Sequence, residues 1–377
     1  MQLNINEIYM KKNILIYLFS LIVISCSARN DLPVDEIQLN GTIINIDSSN
    51  VILRPWIIIG DKVISRRVFG THDYFVGLLK NNKWEKSETL YNRGKGHNEV
   101  DYLRFAKAKE NSLLLLDGGY FYETSCSVFS DIKKIDDLKD PSNRKKYDLK
   151  NMESVLVPGT GFCSVSDSTL LICATPEKYT GHIFSIIDYK NQKCHPLDFW
   201  PNDGIEIDSL VKARVYASGS YVFGNGKGRY LFRCGNERYS FIFSIEGNKV
   251  NVIKDLYTTY SRYRSDGGIP IKERVRPEGL NCDVNSNYIY MLLKDSNSEG
   301  KKLSLEDFEG KKPSLFGNVI EQYDWDGNMK KRIKLDHSGQ RVLLSDDGKT
   351  LYLFTDDYYE GDINPQIWSY DINSINR

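Results

Sequence analysis

The chain reads as an all-β protein, a β-propeller of four-stranded blades, with six blades the expected number and seven the alternative. Three observations lead there. Runs of strand formers alternate with turns rich in Asp, Asn and Gly along almost the whole length, and no long stretch carries helical periodicity. The hairpins so defined alternate in character: a short apolar one precedes a longer, more polar one at a spacing of roughly 45 to 60 residues, as the inner and outer strand pairs of propeller blades do. Finally, 24 tyrosines and 16 phenylalanines in 377 residues suit half-buried pleated surfaces. Basic and acidic residues number 50 each, so the net charge is zero and nothing in the balance recruits nucleic acid or acidic lipid.

At the start, Lys11-Lys12, an apolar run over 13–24 and Ser25 before Cys26 form the layout of an export signal. The run is too short to read as a bilayer-spanning helix. Val23-Ile24-Ser25-Cys26 resembles the lipobox of bacterial lipoproteins. That resemblance implies cleavage before Cys26, acylation of the new N-terminus with palmitate-like chains, and a membrane-anchored place in the cell envelope. Residues 1–25 are then a lipoprotein signal peptide, with Met10 an alternative start. Residues 26–45 are a lipidated tether and 46–377 the propeller. Ser27-Ala28-Arg29-Asn30 lack the acidic run of a surface-export signal, which favours the periplasmic side over the cell surface.

The strands follow in order. Residues 51–70 supply the first pair. Clear outer hairpins are YFVGLLKNNKWEKSETLY, HIFSIIDYKNQKCHPLDFW, YSFIFSIEGNKVNVIKDLY and NVIEQYDWDGNMKKRIKLD. Their turns carry Asn81-Asn82, Lys190-Asn191, Glu246-Gly247-Asn248 and Asp326-Gly327, the residues tight turns require. Between them lie the short apolar segments SLLLLDGG, STLLICAT, GRYLFRCG, NYIYMLLKD and KTLYLFTDD. The one stretch expected to hold a helix is 131–151, charged and interrupted by Pro141, which reads as an insertion on the rim.

Besides Cys26 there are Cys126, Cys163, Cys173, Cys194, Cys234 and Cys282, with no zinc-like spacing. Cys163 and Cys173 stand equidistant from Ser168, so a hairpin centred there would set them opposite each other, a candidate disulfide in an oxidising compartment. Buried, unbridged thiols in adjacent strands are the competing reading.

Several patterns fall short of chemistry. Asp324–Asn328 resembles the front of a calcium loop, but its sixth position is Met329 and its twelfth Leu335, where glycine and glutamate are needed. The glycine-rich segments GNGKGRY and RGKGHNE lack the ending of a phosphate loop. Asp346-Asp347 and Asp356-Asp357 read as turn and strand-end carboxylates. His72, His97, His182, His195 and His337 fall in separate cycles. Asp167-Ser168-Thr169 and Asp208-Ser209-Leu210 match a three-residue O-glycan acceptor pattern of such bacteria. No catalytic residue, metal ligand or cofactor is expected.

A binding site is expected where the connections between blades gather at one mouth of the central channel. The connection over 257–279 is long, and long loops are disproportionately functional. It holds Tyr260, Arg262, Tyr263, Arg264, Arg274 and Arg276, which supply stacking faces and forked donors. Arg93, His97 and the Asp117-Gly118-Gly119 turn are expected on the same mouth. A second charged loop, 296–312, reads as solvated.

The lipobox, the segment NRGKGHNEV with its Gly-x-Gly-x-x-Glu spacing, and LLSDDGKTLYLFTDD near the end together resemble the TolB-like six-bladed propeller lipoproteins of Bacteroides-type bacteria. The resemblance implies a fold and a location and no reaction. The expected function is a non-catalytic binding or scaffolding module for a glycan or protein partner, held on the membrane by its lipid. The alternative is a glycan-active hydrolase or lyase with a site assembled across blades, and a third reading is a purely structural partner in an envelope complex.

Overall fold

The structure is a computed structural model and describes residues 34, 36–46, 54–66, 74–80, 82–94, 99–100, 103–107, 112–117, 120–125, 140–149, 161–173, 181–235, 237–272, 281–294, 317–359 and 362–375. It opens with a ribbon of three short strands, β1 (Glu36–Leu39), β2 (Thr42–Ile43) and β3 (Asn45–Ile46). Six antiparallel meanders follow. The first is β4 (Arg54–Ile59), β5 (Lys62–Arg66), β6 (Tyr74–Lys80) and β7 (Lys83–Arg93), with β8 (Glu99–Val100) beside β7. The second is β9 (Arg104–Lys107), β10 (Ser112–Asp117), β11 (Tyr120–Ser125) and β12 (Lys145–Asp148). The third is β13 (Phe162–Ser164), β14 (Thr169–Ile172), β15 (Ser185–Asp188) and β16 (Lys193–Pro196), after which comes the helix α1 (Ser209–Ala217). The fourth is β17 (Tyr221–Gly224), β18 (Tyr230–Arg233), β19 (Tyr239–Glu246) and β20 (Lys249–Thr258). A separate hairpin, β21 (Tyr263–Asp266) and β22 (Ile269–Lys272), precedes the fifth, which is β23 (Asn281–Val284), β24 (Tyr288–Lys294), β25 (Gly317–Asp324) and β26 (Met329–Gly339). The sixth has β27 (Arg341–Leu344), β28 (Thr350–Tyr359) and β29 (Asp362–Asp371), and β2 from the N-terminal ribbon is its outermost strand.

Six clusters of buried side chains lie between these sheets, and each cluster draws on two consecutive ones. Leu113 and Leu115 meet Ile64 and Tyr74 between the first and second, and Leu114 and Leu116 meet Phe162 and Leu170 between the second and third. Leu171 and Phe232 share the third–fourth core, Leu231 and Ile289 the fourth–fifth, and Tyr290 and Leu351 the fifth–sixth. The last cluster joins Leu343, Phe354 and Ile367 of the sixth sheet to Ile58, Val63 and Trp84 of the first. Six sheets with six shared cores make a closed ring, because an open stack of six would have one fewer. Counted as unbranched sheets of four or five strands the blades are five, since β8 branches the first.

This arrangement explains the apolar runs. Successive residues of a strand point to opposite faces, and here both faces are covered. In β10 the four leucines alternate between the clusters on either side, and in β24 the residues Ile289–Leu293 do the same. Strands buried on both faces read as continuous apolar segments rather than alternating ones. Close packing also has its price at Gly77, where a Cβ would fall within 2.1 Å of the buried Trp84 ring.

Of the tether expected over 26–45, the ribbon corrects the part over 36–45; residues 26–33 and 35 lie outside the described residues. From Glu36 onward the chain is in sheet, with β1 parallel to β26 of the fifth sheet, β2 antiparallel to β29 of the sixth and β3 parallel to β7 of the first. Asp336 accepts from Gly41 N at 3.0 Å, Ile44 N donates to Ile367 O at 2.8 Å, and Asn45 N to Asn82 O at 3.1 Å. The segment is held because the exposed edges of three outer strands offer it backbone partners and because Ile37, Leu39, Ile44 and Ile46 pack on the adjoining cores.

Of the stretch 131–151 expected to hold a helix, only 140–149 are described, and there the expectation is corrected. That part is a single 3-10 turn, Pro141–Asn143, followed by β12, the outer strand of the second sheet. The α-helix among the described residues is α1 instead, capped by Asp208, whose Oδ1 accepts from Leu210 N and Val211 N. The candidate disulfide fails on register. Val165 N and Ser166 N both bond Thr169 O, so the turn is centred one residue before Ser168. Cys163 therefore opposes Leu171, while Cys173 N bonds Gly161 O. Both thiols are buried and unbridged.

Candidate functional site

The first strand of every meander lines a central channel of about 590 Å³, a volume in the range of small-molecule sites. Bonds between neighbouring innermost strands show which way they run. Asn281 Oδ1 and Asp283 Oδ2 of β23 accept from Val342 N at 2.7 Å and Leu344 N at 2.8 Å in β27. Arg341, at the head of β27, donates to Pro55 O near the head of β4, and Gly60 N, just past the tail of β4, donates to Asp346 past the tail of β27. Heads lie beside heads and tails beside tails.

The heads carry the cations. Arg104 opens β9 and Arg341 opens β27, and their guanidinium carbons lie 4.6 and 5.1 Å from the ring centroid of Trp56 in β4. Arg233 ends β18 opposite Tyr221, the first residue of β17, with its guanidinium carbon 4.6 Å from the Tyr221 ring. Arg104 is 5% exposed and Arg233 8%. The three arginines belong to the second, fourth and sixth sheets, so they are spread round the channel. Aromatic faces attract guanidinium groups and hold their planes in place.

The carboxylates stand deeper. Asp283 is two residues into β23 and also accepts from Val284 N at 2.9 Å, and Asp346 lies at the opposite end of the channel. The thiols on the channel wall are protonated at neutral pH. Burial pushes Cys282 up to about 12; the guanidiniums of Arg233 and Arg341 oppose this and Asp283 adds to it. Burial also pushes Cys163 well above its ordinary value. Neither is a thiolate nucleophile. Among the described residues no group of three His, Cys, Asp or Glu side chains is placed to hold a metal ion.

The sequence-predicted residues sit elsewhere. Part of the 257–279 connection is the hairpin β21–β22 rather than an open loop. Tyr263 is buried and donates its hydroxyl to Asp203 Oδ2 at 3.0 Å, as Tyr216 of α1 does at 2.9 Å. Asp203 Oδ1 accepts from Lys212 Nζ at 2.6 Å and from Ile205 N at 3.1 Å. Burial works to raise the Asp203 pKa, but these bonds from Lys212, Ile205 and Tyr216 outweigh it and hold the carboxyl below its ordinary value. Tyr260 packs on Tyr239 with ring centroids 4.7 Å apart. Arg262 and Arg264 are exposed and do not line the channel. Arg93 lies in β7, while His97, Arg274 and Arg276 lie outside the described residues, as does Cys26. Of the residues proposed from sequence, the structure thus gathers Tyr260 and Tyr263 near the Asp203 cluster, and that cluster is a structural clamp between two inter-sheet connections.

Trp56, Arg104, Tyr221, Arg233 and Arg341 were missed. A signal did exist for two of them: an arginine, Arg104 or Arg341, opens each of the apolar strands RFAK and RVLL, where a buried strand has no packing use for a charge.

No family model and no curated protein sequence matches the chain. It is similar to the solved WD40 repeats of RRP9, with a TM-score of 0.43 and 6% identity over 88% of this chain and 97% of that one. The U3-55K structure is similar at 0.43 and 6%, over 88% and 98%. Raptor of Chaetomium thermophilum is similar at 0.41 and 10%, over 89% of this chain and 29% of that one. The propeller assignment rests on the six sheets and their six shared cores.

Proposed function

We propose that this chain is a lipid-anchored binding module of the bacterial cell envelope, tethered through Cys26, that takes a ligand at the arginine-bearing mouth of its central channel. The observation that carries the binding reading is the convergence of six innermost strands on one channel whose heads present Arg104, Arg341 and Arg233 beside Trp56 and Tyr221. Ligand pockets combine a shaped apolar wall with a few fixed polar groups, and this channel has both. The anchoring reading is supported by the lipobox and by the likeness to TolB-like propeller lipoproteins. No helix among the described residues is long and apolar enough to cross a membrane.

Two measurements test the two parts. Replacing Cys26→Ala is expected to abolish incorporation of a palmitate analogue and to release the protein from the membrane fraction; normal labelling of the variant would refute the anchor. Thermal unfolding of the full chain in detergent, titrated with oligosaccharides, peptidoglycan fragments and small anions, is expected to show a melting temperature that climbs with the concentration of one class, because a ligand that binds only the folded state stabilises it by RT ln(1 + L/Kd) at free concentration L.

A further inference from the structure

From the placement of its three arginines we infer that the channel mouth is a site for a small polyanion, a molecule bearing two or three carboxylate or phosphate groups. The inference rests on the reading of the channel as a binding site and specifies its ligand class. Arg104, Arg233 and Arg341 come from alternate sheets of the ring, so three guanidiniums face one volume of about 590 Å³ from separate directions. Each is a planar fork matched to carboxylate or phosphate oxygens.

Three features argue for an anion there rather than for structural packing alone. The charge is sorted along the channel: Arg104 and Arg341 head their innermost strands and Arg233 lies opposite the head of β17, while the lining carboxylates Asp283 and Asp346 stand deeper or at the far end. The forks are preorganised by the rings of Trp56 and Tyr221, which lowers the entropy cost of holding them for a ligand. Finally, Arg104 and Arg233 are buried in a wall that mixes apolar residues with Ser164, Asn225 and Asn281, and charge–charge attraction is stronger at such enclosed groups than in water. The positive charge is enclosed in the channel of a chain with zero net charge, which suits a small molecule and not a nucleic acid backbone.

The experiment is calorimetric titration of the full chain in detergent with citrate and with tripolyphosphate, acetate and glucose serving as monovalent and neutral controls. One saturable site is expected for at least one polyanion, weakening steeply as sodium chloride rises. The tighter of the two tells carboxylate from phosphate chemistry. Arg104→Gln, Arg233→Gln and Arg341→Gln are each expected to weaken binding by about tenfold or more, whereas Arg264→Gln, outside the channel, leaves it unchanged. Should the first or third variant fail to fold, Arg233→Gln together with the wild-type salt dependence decides the matter. Equal binding by Arg233→Gln and Arg264→Gln would overturn the inference. Binding of a neutral oligosaccharide alone, insensitive to salt, would overturn it and leave the channel as a binding site; no saturable binding of any compound would tell against both.

Discussion

Asp203 shows how one carboxylate organises two distant stretches of chain. It stands before α1, takes the Lys212 ammonium and the Tyr216 hydroxyl from that helix, and accepts a third bond from Tyr263, sixty residues on. Its side chain is fully buried, and a buried ion left without its partner is costly. Asp203→Ala is therefore expected to lower unfolding free energy by about 2 to 4 kcal/mol, read from urea denaturation. Tyr263 illustrates what residue type alone conveys. A tyrosine among arginines suggested a stacking face for a ligand, but the Tyr263 ring is buried and its hydroxyl donates to a carboxylate of the same chain. Nothing near Tyr263 in sequence announces Asp203. By contrast, Arg104 and Arg341 were legible in principle, because a charge at the head of a largely buried strand conflicts with its surroundings, whereas Arg233 ends its strand.

At the scale of elements, the turn chemistry was readable and the register was not. Outer hairpins fall where the Asn- and Gly-bearing turns predict them: Asn82 adopts φ 56° and Gly247 φ 60°. In the Cys163 hairpin the turn sits one residue earlier than symmetry suggested, and that shift moves a directly opposed pair of cysteines out of bonding position. The N-terminal ribbon is the element least visible in sequence, since its strands are short and lack a hairpin partner of their own. Its contribution is measurable with two neighbouring isoleucines. Ile44 is 2% exposed in the core joining the sixth and first sheets and Ile43 is 45% exposed. Ile44→Ala is expected to cost about 2 to 4 kcal/mol and Ile43→Ala no more than about 0.5 kcal/mol, by the same denaturation assay.

The six sheets form a ring, and its stability depends on acid through carboxylates that serve as hydrogen-bond acceptors. In Asp203 and Asp336, burial alone would raise the pKa, yet accepted bonds outweigh it: Lys212, Ile205 N and Tyr216 for the first, His337, Gly41 N and Tyr370 for the second. Asp347 is held down by bonds from Ser345 and Lys349. A depressed folded pKa means that the unfolded chain takes up the proton first. The stabilisation is thus complete above the ordinary carboxylate value of 3.8 and is lost as pH falls below it. The urea midpoint is expected to hold down to about pH 4 and to fall steeply below that. A midpoint flat to pH 2.5 would show that these bonds carry no net stability.

What the sequence determined by itself is the local grammar: all-β class, hairpins of two kinds in alternation, and the apolar strands that fill both faces of each blade. These follow from side-chain size, turn geometry and period, which act over a few residues. The tertiary structure alone decided how the ring is closed, where the cations gather and which tyrosines are buried. Closure takes β2 to a strand more than three hundred residues away, and the mouth takes one arginine from each alternate sheet. Such juxtapositions depend on the register and curvature of every blade between them, and no local preference encodes that sum.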